Sequence, residues 1–235
     1  MKIKEVFSRL SGYWLYKRRY LPIGIDLFVD LKQFFKEQQL KVVFDVGANE
    51  GQTIEQFRNY ISFGQLISFE PVPSTFNLLS KNVRDSDRIV IENIGLGAEA
   101  AEMDVMINEH SALNSLKLNE GEQLTGEKER VTIDTLDNYF NKNHLPEISF
   151  LKIDTEGFEM EVLQGAEKTI KEGKIKYIYC EVGFDEQNKR HTPWQKLHEY
   201  LVPLGYRFVA LYDMSYKVFK DHSGNALYVL EAKKS

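Results

Sequence analysis

Val42-Val43-Phe44-Asp45-Val46-Gly47-Ala48-Asn49-Glu50-Gly51 runs from an apolar strand into a glycine turn. The run Val42 to Val46 reads as a buried strand, and the residues from Thr53 to about Tyr60 read as a helix. Between them the chain turns on Gly47 and Gly51, with Asn49, which tolerates positive φ, in the middle. A strand that turns on small residues into a helix presents backbone N–H groups at the positive helix end. It also lets a ligand approach the main chain closely. The turn is therefore read as a nucleotide or nucleoside cradle, although an ordinary strand–turn–helix corner shares the pattern.

The spacing is Asp-x-Gly-x-Asn-x-Gly rather than the dinucleotide G-x-G-x-x-G. The acid, Asp45, precedes the turn, at the strand end, where its carboxylate is expected to face the cleft. A pyrophosphate would be repelled there and a cationic ligand would not. This favours S-adenosylmethionine, with its ammonium and sulfonium, over NAD. A second apolar strand, Leu66-Ile67-Ser68-Phe69-Glu70, ends in an acid nineteen residues after Gly51. An acid near that offset accepts hydrogen bonds from ribose hydroxyls in βαβ units. Pro71 and Pro73 then break the strand, and Ser74 is placed to cap the next helix.

Composition narrows the rest. At 235 residues the chain can bury a full core. A net charge of −5 is not the basic balance of a nucleic-acid-binding protein, so no nucleic-acid partner is expected. The single cysteine, Cys180, excludes an internal disulfide and a cysteine metal cluster, and fits a reducing, cytoplasmic setting. No leader pattern is seen, and no apolar run approaches the ~18 residues of a membrane span.

Strand and helix signals alternate. Strands are expected near Val42–Val46, Leu66–Glu70, Arg88–Ile94, Phe150–Asp154, Lys176–Glu181, Tyr206–Leu211 and Ala226–Glu231. Helices are expected near Thr53–Tyr60, Ser74–Asn82, Glu159–Glu172 and Pro193–Leu204. The pattern predicts an α/β fold, a mostly parallel seven-stranded sheet with helices on both faces and an antiparallel edge strand from a terminal hairpin. Between Glu99 and Leu136 the alternation stops. Strands near Met103–Ile107 and Arg130–Ile133 flank the polar stretch Asn108–Glu129, which reads as a lid or acceptor-binding loop.

These residues together resemble one family. Asp45-Val46-Gly47-Ala48-Asn49-Glu50-Gly51, Phe69-Glu70-Pro71, Asn93-Ile94-Gly95-Leu96-Gly97, Thr135-Leu136-Asp137 and Leu151-Lys152-Ile153-Asp154-Thr155-Glu156-Gly157-Phe158-Glu159 resemble the FkbM-type methyltransferases. Val162-Leu163-Gln164-Gly165-Ala166 and the strand ending in Glu181 are also similar. The likeness runs from about Leu21 to Leu211. It implies a Rossmann-like class I fold, S-adenosylmethionine as cofactor, and methyl transfer to oxygen on a small molecule, sugar or glycoconjugate. It implies a cofactor set of Asp45, Gly47, Asn49, Gly51, Glu70, Asn93 and Asp154, the place of Asn93 resting on the resemblance alone. One departure is Asn114-Ser115-Leu116, where the family often has two serines before a leucine. The chain divides into an N-terminal helical segment, 1–40, and a methyltransferase domain, 41–235.

Methyl transfer to an alcohol needs alignment and a base. Asp154 closes a central strand, where open α/β sheets bind ligands. Glu181 ends the neighbouring strand. Either acid can orient a hydroxyl or take its proton, and His110 in the polar stretch is a third catalytic candidate, with His191 a fourth. Glu156 fits either direction, and Glu159 fits a helix start. Two carboxylates without a clear histidine partner make no metal signature, and no metal is expected. Two other classes keep the same architecture: an NAD-dependent oxidoreductase and a non-enzymatic nucleoside-binding protein.

The N-terminus has its own pattern. Ile3, Val6, Phe7, Leu10 and Trp14 form an apolar stripe at helical spacing. Lys2, Lys4, Arg9, Lys17, Arg18 and Arg19 make it basic, and Tyr13, Tyr16 and Tyr20 add aromatic rings. Packing against the domain or against a second copy in a homodimer is the favoured reading. Peripheral contact with an anionic membrane is the other.

Overall fold

In the computed structural model the strand Gln39–Val46 lies in the middle of a seven-stranded sheet. The structure describes residues 11–12, 17, 20–83, 86–106, 128–185, 188, 190–215 and 222–231. His110, nearly all of the stretch 108–129 and most of the basic N-terminal segment lie outside the described residues.

In chain order the elements begin with α1 (Leu27–Gln33), β1 (Gln39–Val46), α2 (Gln52–Tyr60), β2 (Ser62–Phe69) and α3 (Pro73–Asn82). Next come β3 (Ile89–Glu92), β4 (Gly95–Leu96), β5 (Ala101–Met106), β6 (Lys128–Asp134) and α4 (Leu136–Lys142). The remainder is β7 (Ile148–Ile153), α5 (Glu159–Gln164), α6 (Glu167–Lys171), β8 (Ile175–Gly183), α7 (Trp194–Leu201), β9 (Tyr206–Tyr212) and β10 (Ser223–Leu230).

The main sheet has the order β3-β2-β1-β7-β8-β10-β9. Its first five strands run parallel. β10 runs antiparallel to both its neighbours, so the reversed strand sits one place in from the edge and edge strand β9 pairs with it. A strand buried on both faces is largely apolar on both, which is why Val42–Val46 shows no alternation, the buried Asp45 being held by Lys152. Val43, with Leu66 and Phe150, packs under α1 and α2 through Leu31, Ile54 and Phe57. Val42, Phe44 and Val46 pack on the other face with Leu136, Leu163, Ile170 and Leu197. Helices thus cover both faces. A separate three-stranded sheet, β4-β6-β5, has its own small core of Val72, Val105, Val131 and Ile133.

Two helices differ from expectation. The helix expected over Glu159–Glu172 breaks at Gly165 and Ala166 into α5 and α6. A Cβ on Gly165 would lie 1.9 Å from the carbonyl oxygen of Gly97, so this point is where two backbones meet. Helix α4 is an addition, capped by Thr135, whose hydroxyl accepts from Asn138 N–H (3.1 Å). The Asp137 carboxylate then accepts from Lys168 N–H (3.0 Å) and Thr169 N–H (2.9 Å) at the start of α6. Thr135-Leu136-Asp137 is therefore an architectural clamp between helices.

Candidate active site

The strand order reverses direction between β1 and β7, and open α/β sheets bind ligands beyond the strand ends at such a switch point. A cavity of about 570 Å³ lies there, in the range of small-molecule sites. Its walls are Gly47–Asn49 after β1, Glu70–Val72 after β2, and Asp154–Glu156 after β7. Ile25–Phe28 at the entry to α1 also line it, as do Gln52, Gln56 and Tyr60 from α2. The Phe28 and Tyr60 rings stack at 5.2 Å between centroids.

The glycine turn is held by its own backbone. Gly47 (φ 84°), Asn49 (φ 48°) and Gly51 (φ 98°) are all left-handed. A Cβ on Gly47 would lie 1.8 Å from the Asp154 carbonyl oxygen, so glycine is required where the two strand-end turns touch. Part of the expected donor cradle is already engaged. Gly47 N–H and Ala48 N–H both donate to Phe69 O (3.1 and 3.0 Å), Gly51 N–H to Ala48 O (2.9 Å), and Asn49 N–H to Glu70 Oε2 (3.0 Å). The turn shapes the wall without presenting these N–H groups to an anion.

Acceptors dominate instead. Glu70 is 7% exposed and receives Asn49 N–H on Oε2 and Val72 N–H on Oε1 (3.0 Å each). Burial pushes its carboxyl up to about 7, against those two donors. Asn49 Oδ1 is buried with no hydrogen-bond partner among the described residues. Asn93 Nδ2 donates to the carbonyls of Glu70 (2.9 Å) and Pro71 (3.1 Å), which fixes the chain that carries Glu70.

Asp45 does not reach the cavity. Along β1 it shares a face with Val43 and stands beside Lys152 of β7 and Ser68 of β2. Fully buried, it accepts from Lys152 Nζ (3.1 Å) and Ser68 Oγ (3.3 Å). Lys152 also pairs with Asp154 (3.3 Å). Burial raises the Asp45 carboxyl, with Lys152 pulling the other way. Burial lowers Lys152, but its two carboxylate neighbours outweigh that and keep the ammonium charged. Among the described residues Lys152 is the one cation lining this wall, and the carboxylates of Asp45 and Asp154 neutralise it.

Beyond Asp154 lies a second group. Glu156 has φ 53° and Gly157 φ 100°, a left-handed pair in the turn after β7. Glu159 is buried and ties that turn together. Its Oε1 accepts from Thr155 N–H (3.0 Å) and Gly157 N–H (2.9 Å), and its Oε2 from the Thr192 hydroxyl (2.6 Å). That last bond anchors the loop bearing His191, whose Nδ1 lies 3.3 Å from Glu181 Oε2. Burial pushes Glu181 to about 7 and Glu156 to about 8. The Glu181 carboxylate beside it raises His191.

Of the expected site residues, Gly47, Asn49, Glu70 and Asp154 line the cavity. Asp45, Gly51 and Asn93 stand behind its wall, and Glu181 stands beside Glu156. The expectation of no metal rested on a missing histidine partner, and His191 supplies one. Lys152, Glu156 and the 25–28 segment are part of the site that sequence reasoning did not assign. Strand alternation across neighbours would have exposed the Asp45–Lys152 pair, but only with the register known.

Sheet order, cavity and acceptor-rich wall together define a Rossmann-like class I methyltransferase architecture. A model of the Methyltransferase FkbM domain matches residues 45–208, and the chain belongs to that family. No curated protein matches the sequence. The FkbM methyltransferase of Methylobacillus flagellatus KT is 17% identical, with a TM-score of 0.56, over 82% of this chain and 44% of its own. This chain thus spans less than half the length of that protein. A Streptococcus pneumoniae protein assigned as a tRNA (m1A22) methyltransferase, solved in complex with S-adenosyl-L-methionine, is 13% identical. Its TM-score is 0.50 over 90% of this chain and 76% of its own. Both likenesses are of fold. The family is one of methyltransferases, the Streptococcus pneumoniae protein holds S-adenosyl-L-methionine, and the residues of this cavity fit that group. An orphaned buried acceptor, a buried carboxylate and a neutralised lysine suit a ligand rich in hydroxyl donors and positive charge. No helix among the described residues is long and apolar enough to cross a membrane.

Proposed function

We propose that the chain is an S-adenosylmethionine-dependent O-methyltransferase acting on a hydroxyl of a small molecule, sugar or glycoconjugate. The observation that carries this reading is the polarity of the cavity wall. It presents Glu70, Asn49 Oδ1, Asp154 and Glu156 as acceptors, while the N–H groups of Gly47, Ala48, Asn49 and Gly51 and the ammonium of Lys152 are already engaged. A dinucleotide would ask the turn for free donors.

When bound, S-adenosylmethionine supplies an electrophilic methyl group. Glu70 accepts from the ribose hydroxyls, Gly47 lets the turn close against Asp154 and form the wall, and Asn49 Oδ1 takes a donor. Gly51 and Asn93 hold the shape of that end, and Asp45 holds Lys152. Asp154 orients the acceptor hydroxyl. Its proton passes to Asp154 or to the Glu156–Glu181 side, where burial pushes the two glutamates up to about 8 and about 7 and Glu181 raises the neighbouring His191. The acidic rim of Asp154, Glu156 and Asp213 opposes a nucleic-acid acceptor, as does the net charge of −5. A cytoplasmic location agrees with the single cysteine, which is buried and unpaired.

Incubation with methyl-labelled S-adenosylmethionine and a panel of sugars, hydroxylated small molecules and RNA tests the reading. Label is expected on a hydroxyl compound. Label on RNA bases overturns the acceptor class. NADH oxidation without methyl transfer overturns the whole reading in favour of an oxidoreductase.

A further inference from the structure

We propose that Glu156, Glu181 and His191 form a divalent-cation site beside the cavity. One ligand atom from each lies within 4.8 Å of the others. Metal–ligand bonds of about 2.0–2.2 Å would close around a single ion after small side-chain movements.

Three separate elements bring these groups together: the turn after β7, the end of β8, and the loop before α7. The loop is fixed rather than merely near. Gly183 N–H donates to Thr192 O (2.9 Å), and Gly183 bridges to Pro193. A Cβ on Gly183 would lie 2.6 Å from the Cβ of His191, so glycine makes the room in which the histidine sits. Thr192 is fastened to Glu159 on the other side. Glu156 is held in a left-handed conformation that non-glycine residues adopt uncommonly.

Glu181 Oε2 and His191 Nδ1 supply the independent sign of a ligand. Both atoms are buried, and neither has a hydrogen-bond partner among the described residues. They stand 3.3 Å apart, an ion-pair distance for a protonated imidazole. With the imidazole neutral the two atoms have only each other, and a cation between them satisfies both. Two carboxylates with one imidazole suit Mn²⁺, Fe²⁺ or Zn²⁺ better than Ca²⁺, which takes six to eight oxygens. Two carboxylate charges balance the ion, with the imidazole bound neutral.

Glu156 also lines the cavity, so an ion held there has an open face towards a hydroxyl placed near Asp154. It would act as a Lewis acid, lowering the pKa of that hydroxyl while Asp154 takes the proton. This role rests on the proposed methyl transfer, whereas cation binding does not.

Mn²⁺ titration of the full chain near neutral pH, without cofactor and followed by electron paramagnetic resonance, tests the site. One Mn²⁺ per chain is expected to bind below millimolar concentration and to be displaced by Zn²⁺. Glu181→Gln and His191→Asn should each weaken it by about 100-fold or more, beyond the loss of an outer-shell partner. S-adenosylmethionine affinity, measured on the same samples, should stay as in the wild type. Absence of Mn²⁺ binding in the wild type overturns the proposal without any variant. Wild-type affinity in either variant overturns it as well. Mn²⁺ binding without S-adenosylmethionine binding counts against the methyltransferase reading and leaves the cation site standing.

Discussion

Both ends of the cavity carry a left-handed non-glycine residue, a raised acid and an orphaned buried atom, and they differ in how much of the rest is matched. At the β1–β2 end the polar groups are largely matched: Gly47 and Ala48 N–H donate to Phe69 O at the end of β2, and Glu70 is gripped by two backbone donors. At the β7–β8 end a left-handed glutamate, a raised acid pair and two orphaned buried atoms crowd together. The first end is preorganised for recognition. The second is held in a state of unmet bonding by a scaffold, Glu159, that is itself fully bonded. Strain and shifted ionisation gather where chemistry is done.

The largest effect should come from the second end. Asp154→Asn keeps the shape and removes the charge, and should lower methyl transfer by about 10²–10⁴-fold while the protein stays folded. Turnover of labelled S-adenosylmethionine and a melting curve check this together. Normal turnover in the variant would make Asp154 structural and erase the contrast between the ends.

Behind the wall, Lys152→Met should destabilise the fold by about 3–5 kcal/mol, because Asp45 would keep a buried charge with no counter-ion. Urea unfolding measures it, and an unchanged midpoint would mean that Asp45 is neutral in the native state.

A smaller effect belongs to the first end. Glu70 holds its proton up to about pH 7 in the free protein, and must lose it to accept two hydroxyls. Affinity for S-adenosylmethionine should therefore rise with pH, roughly tenfold from pH about 6 to about 8. In Glu70→Gln the slope should vanish. A slope that survives in this variant assigns the titration to the Glu156–Glu181 end.

The first end was the more legible in sequence. The apolar run Val42–Val46, the glycine turn and an acid at the next strand end are local patterns, and they placed Gly47, Asn49 and Glu70 on the cavity wall. Asp45 was read as facing the ligand because strand position alone does not say which neighbour will claim a side chain. That depended on β7 lying beside β1 and setting Lys152 opposite it. Helix α4 was missed because seven residues carry too little periodicity. The break at Gly165 follows from its contact with Gly97, far away in the chain. At the second end, His191 meets Glu181 only because its loop folds back onto Gly183, and no spacing rule announces that.

Calorimetric titration of S-adenosylmethionine into the wild type and Glu70→Ala bears most directly on the central claim, that the acceptor-rich cavity is the cofactor site. The wild type should bind S-adenosylmethionine and not NADH, and Glu70→Ala should bind it about 1–3 kcal/mol more weakly, the scale of hydrogen bonds to a charged group. Equal affinity in the two proteins, or binding of NADH in place of S-adenosylmethionine, would contradict it.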